Sequence, residues 1–177
     1  MVQAVRTFQD ALAASRPTVD VARRVQSNLG AAAAALSTYR VDEAEQIAGK
    51  RFERAGRSQA MSPVITYSLE ASDRVEASVE FGRFYLGGNG AVHGGVIPLV
   101  FDELLGRLAN EGRPRSRTAN LQVNFRKITP IEQILRMDAS VDEIAGRKLY
   151  LSGSLHLGDE LLADAKGLFV ILRPGQP

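Results

Sequence analysis

The stretch that most constrains this chain is Val96 to Asn110, VIPLVFDELLGRLAN. Its apolar residues, Val96, Ile97, Leu99, Val100, Phe101, Leu104, Leu105 and Leu108, fall nearly all round a helical wheel. A helix of that kind must be buried on most sides. Pro98 sits in its first turn, where a missing N–H costs nothing, and about fifteen residues make a rod of roughly 22 Å. Whatever else the chain builds has to wrap this rod.

The segments around it alternate with period 2, as half-buried strands do. Val75, Ala77, Val79 and Phe81 interleave with Glu76, Ser78 and Glu80; Ala119, Leu121, Val123 and Phe125 interleave with Asn120, Gln122 and Asn124. Three more strands are predicted over 134–144, 148–157 and 161–172, with Ala145-Gly146-Arg147 and Gly158-Asp159 as hairpin turns. The architecture that satisfies both patterns is α+β: a strongly curved antiparallel sheet wrapped around one central helix.

Before the break at Ser62-Pro63 the period is 3.6 instead. Val5, Phe8 and Leu12 mark one amphipathic helix. Ala22, Val25, Leu29, Ala32 and Leu36 mark a second, with Pro17 at an early position and the helix-forming run Ala31–Ala35 inside it. A polar stretch from Asp42 to Arg57 spaces acids and bases for exposed ion pairs and predicts a third helix. The chain therefore divides into a helical N-terminal extension, 1–61, and a sheet-and-helix domain, 62–177, which suits a length of 177 residues.

Composition narrows the chemistry. With no Cys there is no thiolate nucleophile, iron–sulfur cluster or Cys-ligated zinc, and two histidines, His93 and His156, leave little for a metal site. No metal and no other cofactor is expected. Acidic and basic residues are interspersed, 20 against 22, which does not suggest nucleic-acid binding. No run approaches the ~20 apolar residues of a membrane span. Arg6, Asp10 and Arg16 interrupt any leader-like stretch, so a cytoplasmic setting is expected.

Two features could carry function. The loop Gly87-Gly88-Asn89-Gly90-Ala91-Val92-His93-Gly94-Gly95 leads into the apolar helix, whose first N–H groups favour negative charge. It lacks the Gly-Lys-Ser/Thr of a P-loop. Asp102 lies mid-helix among apolar neighbours, where an unpartnered carboxylate is costly. It is either structural, for example paired with Arg107, or a desolvated general base. Glu103, about 100° further round, is the one expected to be exposed.

The run Val92 to Asp102 resembles the HGG-x(6)-D signature of hotdog-fold acyl-CoA thioesterases of the PaaI-like group. Thr118 to Phe125, Thr129-Pro130, Gly146-Arg147-Lys148 and Ala163 to Phe169 extend the similarity, which covers about 62–173 and leaves the N-terminal helices aside. The resemblance implies hydrolysis of a fatty or aryl acyl-CoA to free acid and CoA. It casts the Gly95 amide as oxyanion donor, His93 as shaping the turn or adding a donor, Asp102 as general base or nucleophile, and Thr118 as placing Asp102 or the water.

Gly94, Asn89 and Asn120 would be substrate contacts, and Arg126, Lys127, Arg147 and Lys148 would meet the CoA phosphates. The acyl tail would run along Val96, Val100 and Leu104, although these residues equally suit an ordinary core. The resemblance also implies a homodimer or dimer of dimers, with the HGG turn and Asp102 of one site drawn from different subunits. A non-catalytic acyl-CoA-binding or regulatory protein of the same fold is the alternative; it would need the pocket but no base.

Overall fold

The computed structural model describes residues 1–51 and 54–176. Its elements are α1 (Val2–Ala13), α2 (Val19–Ser37), β1 (Ile65–Glu70), β2 (Arg74–Glu80), β3 (Leu86–Gly88), β4 (Ala91–Val92), α3 (Val96–Asn110), β5 (Ser116–Phe125), β6 (Ile134–Ala145), β7 (Lys148–Leu157) and β8 (Glu160–Ile171). The large sheet runs β1-β2-β6-β7-β8-β5, with neighbouring strands antiparallel throughout. β3 and β4 form a separate small hairpin turned by Asn89-Gly90, both at positive φ.

The sheet curves around α3, which touches β1, β2 and β5 to β8. The helix drives Ile97, Val100, Phe101, Leu104, Leu105, Leu108 and Ala109 into the core. Leu135, Met137, Leu149, Leu151, Leu155 and Phe169 meet them from the sheet. Each large side chain buried this way contributes about 1.5–3 kcal/mol. Close approach depends on small residues beneath the helix: a Cβ at Gly167 would lie 2.8 Å from the Phe169 ring and 3.0 Å from Leu105 Cδ1. The β6–β7 and β7–β8 hairpins turn at Gly146 and Gly158, at φ +60° and +56°.

The expected helix over Asp42–Arg57 does not form. Residues 52 and 53 lie outside the described residues; around them there are only short 3₁₀ turns at Glu43–Glu45 and Ala55–Ser58. Exposed ion pairs contribute a few tenths of a kcal/mol each, and without a buried stripe they do not carry a helix, least of all across Gly49 at φ +77°. Pro17 lies just outside α2, whose N-cap is Thr18. Val100 and Leu104 are 0% exposed and belong to the core.

β5 departs from simple alternation. Thr118 opposes Phe169 and Asn120 opposes Leu168, so Ala119 is an extra residue, a β-bulge. Before it the buried residue is Ser116; after it the half-buried ones include Leu121 and Val123. Ala119 is exposed, and Phe125, at the far end of this edge strand, is 57% exposed.

Candidate active site

Because Phe101, Leu104 and Leu105 are turned fully inward, Asp102 emerges at the margin of α3, half-buried. There the Thr118 hydroxyl donates to its Oδ1 at 2.7 Å. The pair is positioned by the junction of α3 and β5. Asn110, the last residue of the helix, donates through Nδ2 to the Gly106 carbonyl at 2.7 Å, and its Oδ1 accepts from the Ser116 N–H at 2.8 Å. That clamp sets the phase in which β5 leaves the helix. Two residues on, the same phase aims Thr118 at α3.

Asp102 and Thr118 border a cleft of about 1170 Å³. Its other walls include parts of α3, β1 and the start of β5, with Gly49, Lys50, Arg57 and Ser62 from the N-terminal side. Glu103 is not the exposed acid expected: its side chain is 19% exposed, pairs with Arg57 and accepts from Ser62 Oγ at 3.3 Å. Arg107 pairs with Glu70 rather than Asp102. Its guanidinium lies over the Tyr67 ring, 5.6 Å from the centroid. Burial pushes the Tyr67 hydroxyl up to about 12, only partly offset by Arg107.

The HGG turn is held from several sides. His93 N–H donates to Tyr85 O at 2.7 Å, Val92 N–H to Thr129 O at 2.8 Å, and Val96 N–H to His93 O at 2.9 Å. The Gly95 amide donates to His93 Nδ1 at 3.1 Å. An accepting Nδ1 leaves the proton of a neutral ring on Nε2. Gly94 N–H, next to it, has no acceptor among the described residues.

These three residues do not line the Asp102 cleft. Gly95 and Asp102 are seven residues apart on one rod, about 10 Å along its axis.

The remaining candidates are dispersed. Asn89 occupies the β3–β4 turn at φ +50°, and Asn120 is exposed on β5 beyond the bulge. Arg126 pairs with Asp164, Lys127 with Glu160, and Arg147 donates to Ile171 O at 2.8 Å. The Arg126 guanidinium, with a hydrogen bond from Asn124, holds the Asp164 carboxyl below its ordinary value. Neither these three nor Lys148 borders the cleft. Its cations come from elsewhere, Lys50, Arg57, Arg107, Arg115 and Arg117 among them. The legible signal for two of these was the alternation Arg113-Pro114-Arg115-Ser116-Arg117.

A central helix wrapped by an antiparallel sheet of this order is the hotdog fold. Residues 89–165 match the model of the Thioesterase superfamily.

Acyl-coenzyme A thioesterase THEM4 of Bos taurus is 34% identical over 95 residues, 52% of this chain and 39% of that protein. The chain thus spans about two fifths of that relative's length. A crystal structure of a thioesterase superfamily protein superposes with a TM-score of 0.82 at 26% identity, covering 96% of this chain and 88% of that one. A Streptococcus mutans protein crystallised with acetyl-CoA gives 0.58 at 16% identity, over 61% of this chain and 88% of its own. The former likeness takes in the N-terminal helices. Among the described residues no group of three His, Cys, Asp or Glu side chains is arranged to hold a metal, and no helix is long and apolar enough to cross a membrane.

Proposed function

We propose that this protein hydrolyses acyl-CoA thioesters. The observation that carries the reading is the 2.7 Å hydrogen bond from Thr118 to Asp102 at the border of an open cleft. Thr118 occupies one carboxylate oxygen and leaves the other to take a proton. Water attacks the thioester carbonyl as Asp102 accepts its proton, and the carbonyl oxygen becomes an oxyanion. The C–S bond then breaks, and the protonated Asp102 returns the proton to the departing CoA thiolate.

The oxyanion needs a donor about 3 Å away, and the HGG turn supplies amides at the start of α3. Of the two, we assign Gly94, since the Gly95 amide is already spent on His93; His93 and Gly95 hold the turn in shape. Amide and base lie too far apart on α3 to serve one carbonyl within a single chain. The complete site therefore takes its HGG turn from a second copy, in a dimer or dimer of dimers. β5, at the edge of the sheet with 117–120 exposed, is the strand along which copies would pair.

The test is release of free thiol from a panel of short, medium and long acyl-CoAs. Wild type is expected to turn over at least one of them, and Asp102→Asn to lose about 10²–10⁴ in kcat. A wild type inert across the panel refutes the hydrolase, and near-normal turnover by Asp102→Asn refutes the base. Mixing Asp102→Asn with a Gly94→Pro variant should restore partial activity if sites are shared between copies.

A further inference from the structure

No residue of α2 is buried, and no other element packs along it among the described residues. α1, before it, is tied to the body: Asp10 accepts from Phe84 N–H and Arg6 donates to the Gln59 carbonyl. α2 leaves that anchorage as a bare rod of roughly 28 Å. Helices in proteins owe most of their stability to the packing of an apolar face, and this one has a face without cover.

The apolar residues are spaced for one kind of cover. Ala22, Val25, Leu29, Ala32, Leu36 and Tyr39 follow one another at intervals of three, four, three, four and three. That is the 3.5-residue repeat of a coiled-coil seam, narrower than the stripe with which a helix lies on a core. Tyr39, just past the C-cap, prolongs the last turn by donating its N–H to Leu36 O at 3.0 Å. Val25 is half-buried, whereas Leu29, Leu36 and Tyr39 are exposed. Asp20, Arg23, Arg24 and Ser27 lie off the seam.

This seam is complementary to itself, but in one direction only. Antiparallel about its midpoint, Leu29 meets Ala32 of a second copy, Ala22 meets Tyr39 and Val25 meets Leu36. Each layer sets a larger side chain against a smaller one, which keeps the two rods evenly spaced. Parallel pairing would stack Ala on Ala and Tyr on Tyr, leaving voids in some layers and crowding others. Charge favours the same direction. Arg16, Arg23 and Arg24 outnumber Asp20, which lies 3.7 Å from Arg23, at the start of α2; Asp42, Glu43 and Glu45 outnumber Arg40 just past its end. Antiparallel rods bring the basic end to the acidic one and oppose their dipoles, while parallel rods set like on like.

We infer that α2 is a self-association surface, pairing antiparallel with α2 of a second copy of this chain. The contact is isologous, so a single two-fold axis closes it. It is separate from pairing along β5 and does not depend on the hydrolase reading.

The chain has no cysteine, so introduced thiols report on this contact alone. Full-length Val25→Cys and Leu36→Cys, carrying tags of different size, are co-expressed and oxidised; each is also oxidised by itself. A disulfide needs Cα atoms within about 7 Å. Antiparallel pairing brings 25 to 36 and holds each about 16 Å along the axis from its own counterpart. The co-expressed chains are therefore expected to link as heterodimers, approaching the statistical half of the protein, and either variant alone to link little. Leu29→Lys added to both chains is expected to cut the linked fraction at least tenfold. Ser27→Cys with Ala34→Cys, at matching heights on the outer face, sets the level that random collision gives.

Linking of each variant with itself as readily as with the other overturns the antiparallel assignment. A 25–36 link no stronger than that of the outer-face pair overturns association through α2, and a link that Leu29→Lys leaves intact overturns the seam.

Discussion

α2 and α3 are both amphipathic or apolar by pattern, yet the fold treats them in opposite ways. α3 has seven fully buried residues in its fifteen; α2, with nineteen, has none, and Leu29 and Leu36 are 46% and 53% exposed. The difference lies in what the neighbouring sequence can build. α3 is flanked by strands that close around it, whereas α2 follows a short helix secured by few contacts, among them Asp10 accepting from Phe84 N–H at 2.9 Å and Arg6 donating to the Gln59 carbonyl. An apolar stripe is a request for a partner surface. Only the rest of the chain decides whether it is met.

The sharpest way to break this contrast is a matched truncation. Leu104→Ala should destabilise the protein by about 2–5 kcal/mol, because the cavity it leaves is walled on all sides. Leu29→Ala should change denaturant stability by less than about 0.5 kcal/mol in dilute monomer. Equal losses would mean that α2 is covered in solution.

A smaller effect probes the polar side of α3. The Tyr67 hydroxyl titrates near 12 rather than 10, so the folded state favours its neutral form. That contribution is complete below pH 10 and is lost as pH rises towards 12, amounting to at most about 3 kcal/mol. Tyr67→Phe should flatten the alkaline limb of the stability curve over that interval.

The smallest effect sharpens the comparison from the other side. Thr18 caps α2 by accepting from Val21 N–H at 3.4 Å. Thr18→Ala should fray α2 by about 0.5–1 kcal/mol, visible as lost helicity and faster amide exchange over 19–24, with the melting temperature of the body unmoved.

What the sequence made legible follows the same division. The limits of α3, the last three strands and their glycine turns could be read because period, length and turn chemistry agreed there. β1, β3 and β4 escaped notice: β1 mixes Tyr67 and Ser68 into its pattern, and the other two span only Leu86–Gly88 and Ala91–Val92. That Thr118 meets Asp102 was expected only through the family resemblance; no local pattern shows it, since the contact depends on Asn110 clamping Ser116. The cleft's arginines were overlooked in favour of Arg126 and Lys127, whose partners, Asp164 and Glu160, lie 33 residues or more along the chain. No local pattern reveals such a commitment.

The extra residue at Ala119 works as a phase switch on a single strand. Upstream of it the even-numbered Ser116 and Thr118 look towards α3; downstream the odd-numbered Leu121 and Val123 do, and they serve the core. Deleting Ala119 would put the two halves into one phase: keeping Thr118 on Asp102 would turn Asn120, Gln122 and Asn124 inward and Leu121 and Val123 out. One strand thus answers to two requirements, holding Thr118 on Asp102 and filling the core, that a continuous ladder could not satisfy together.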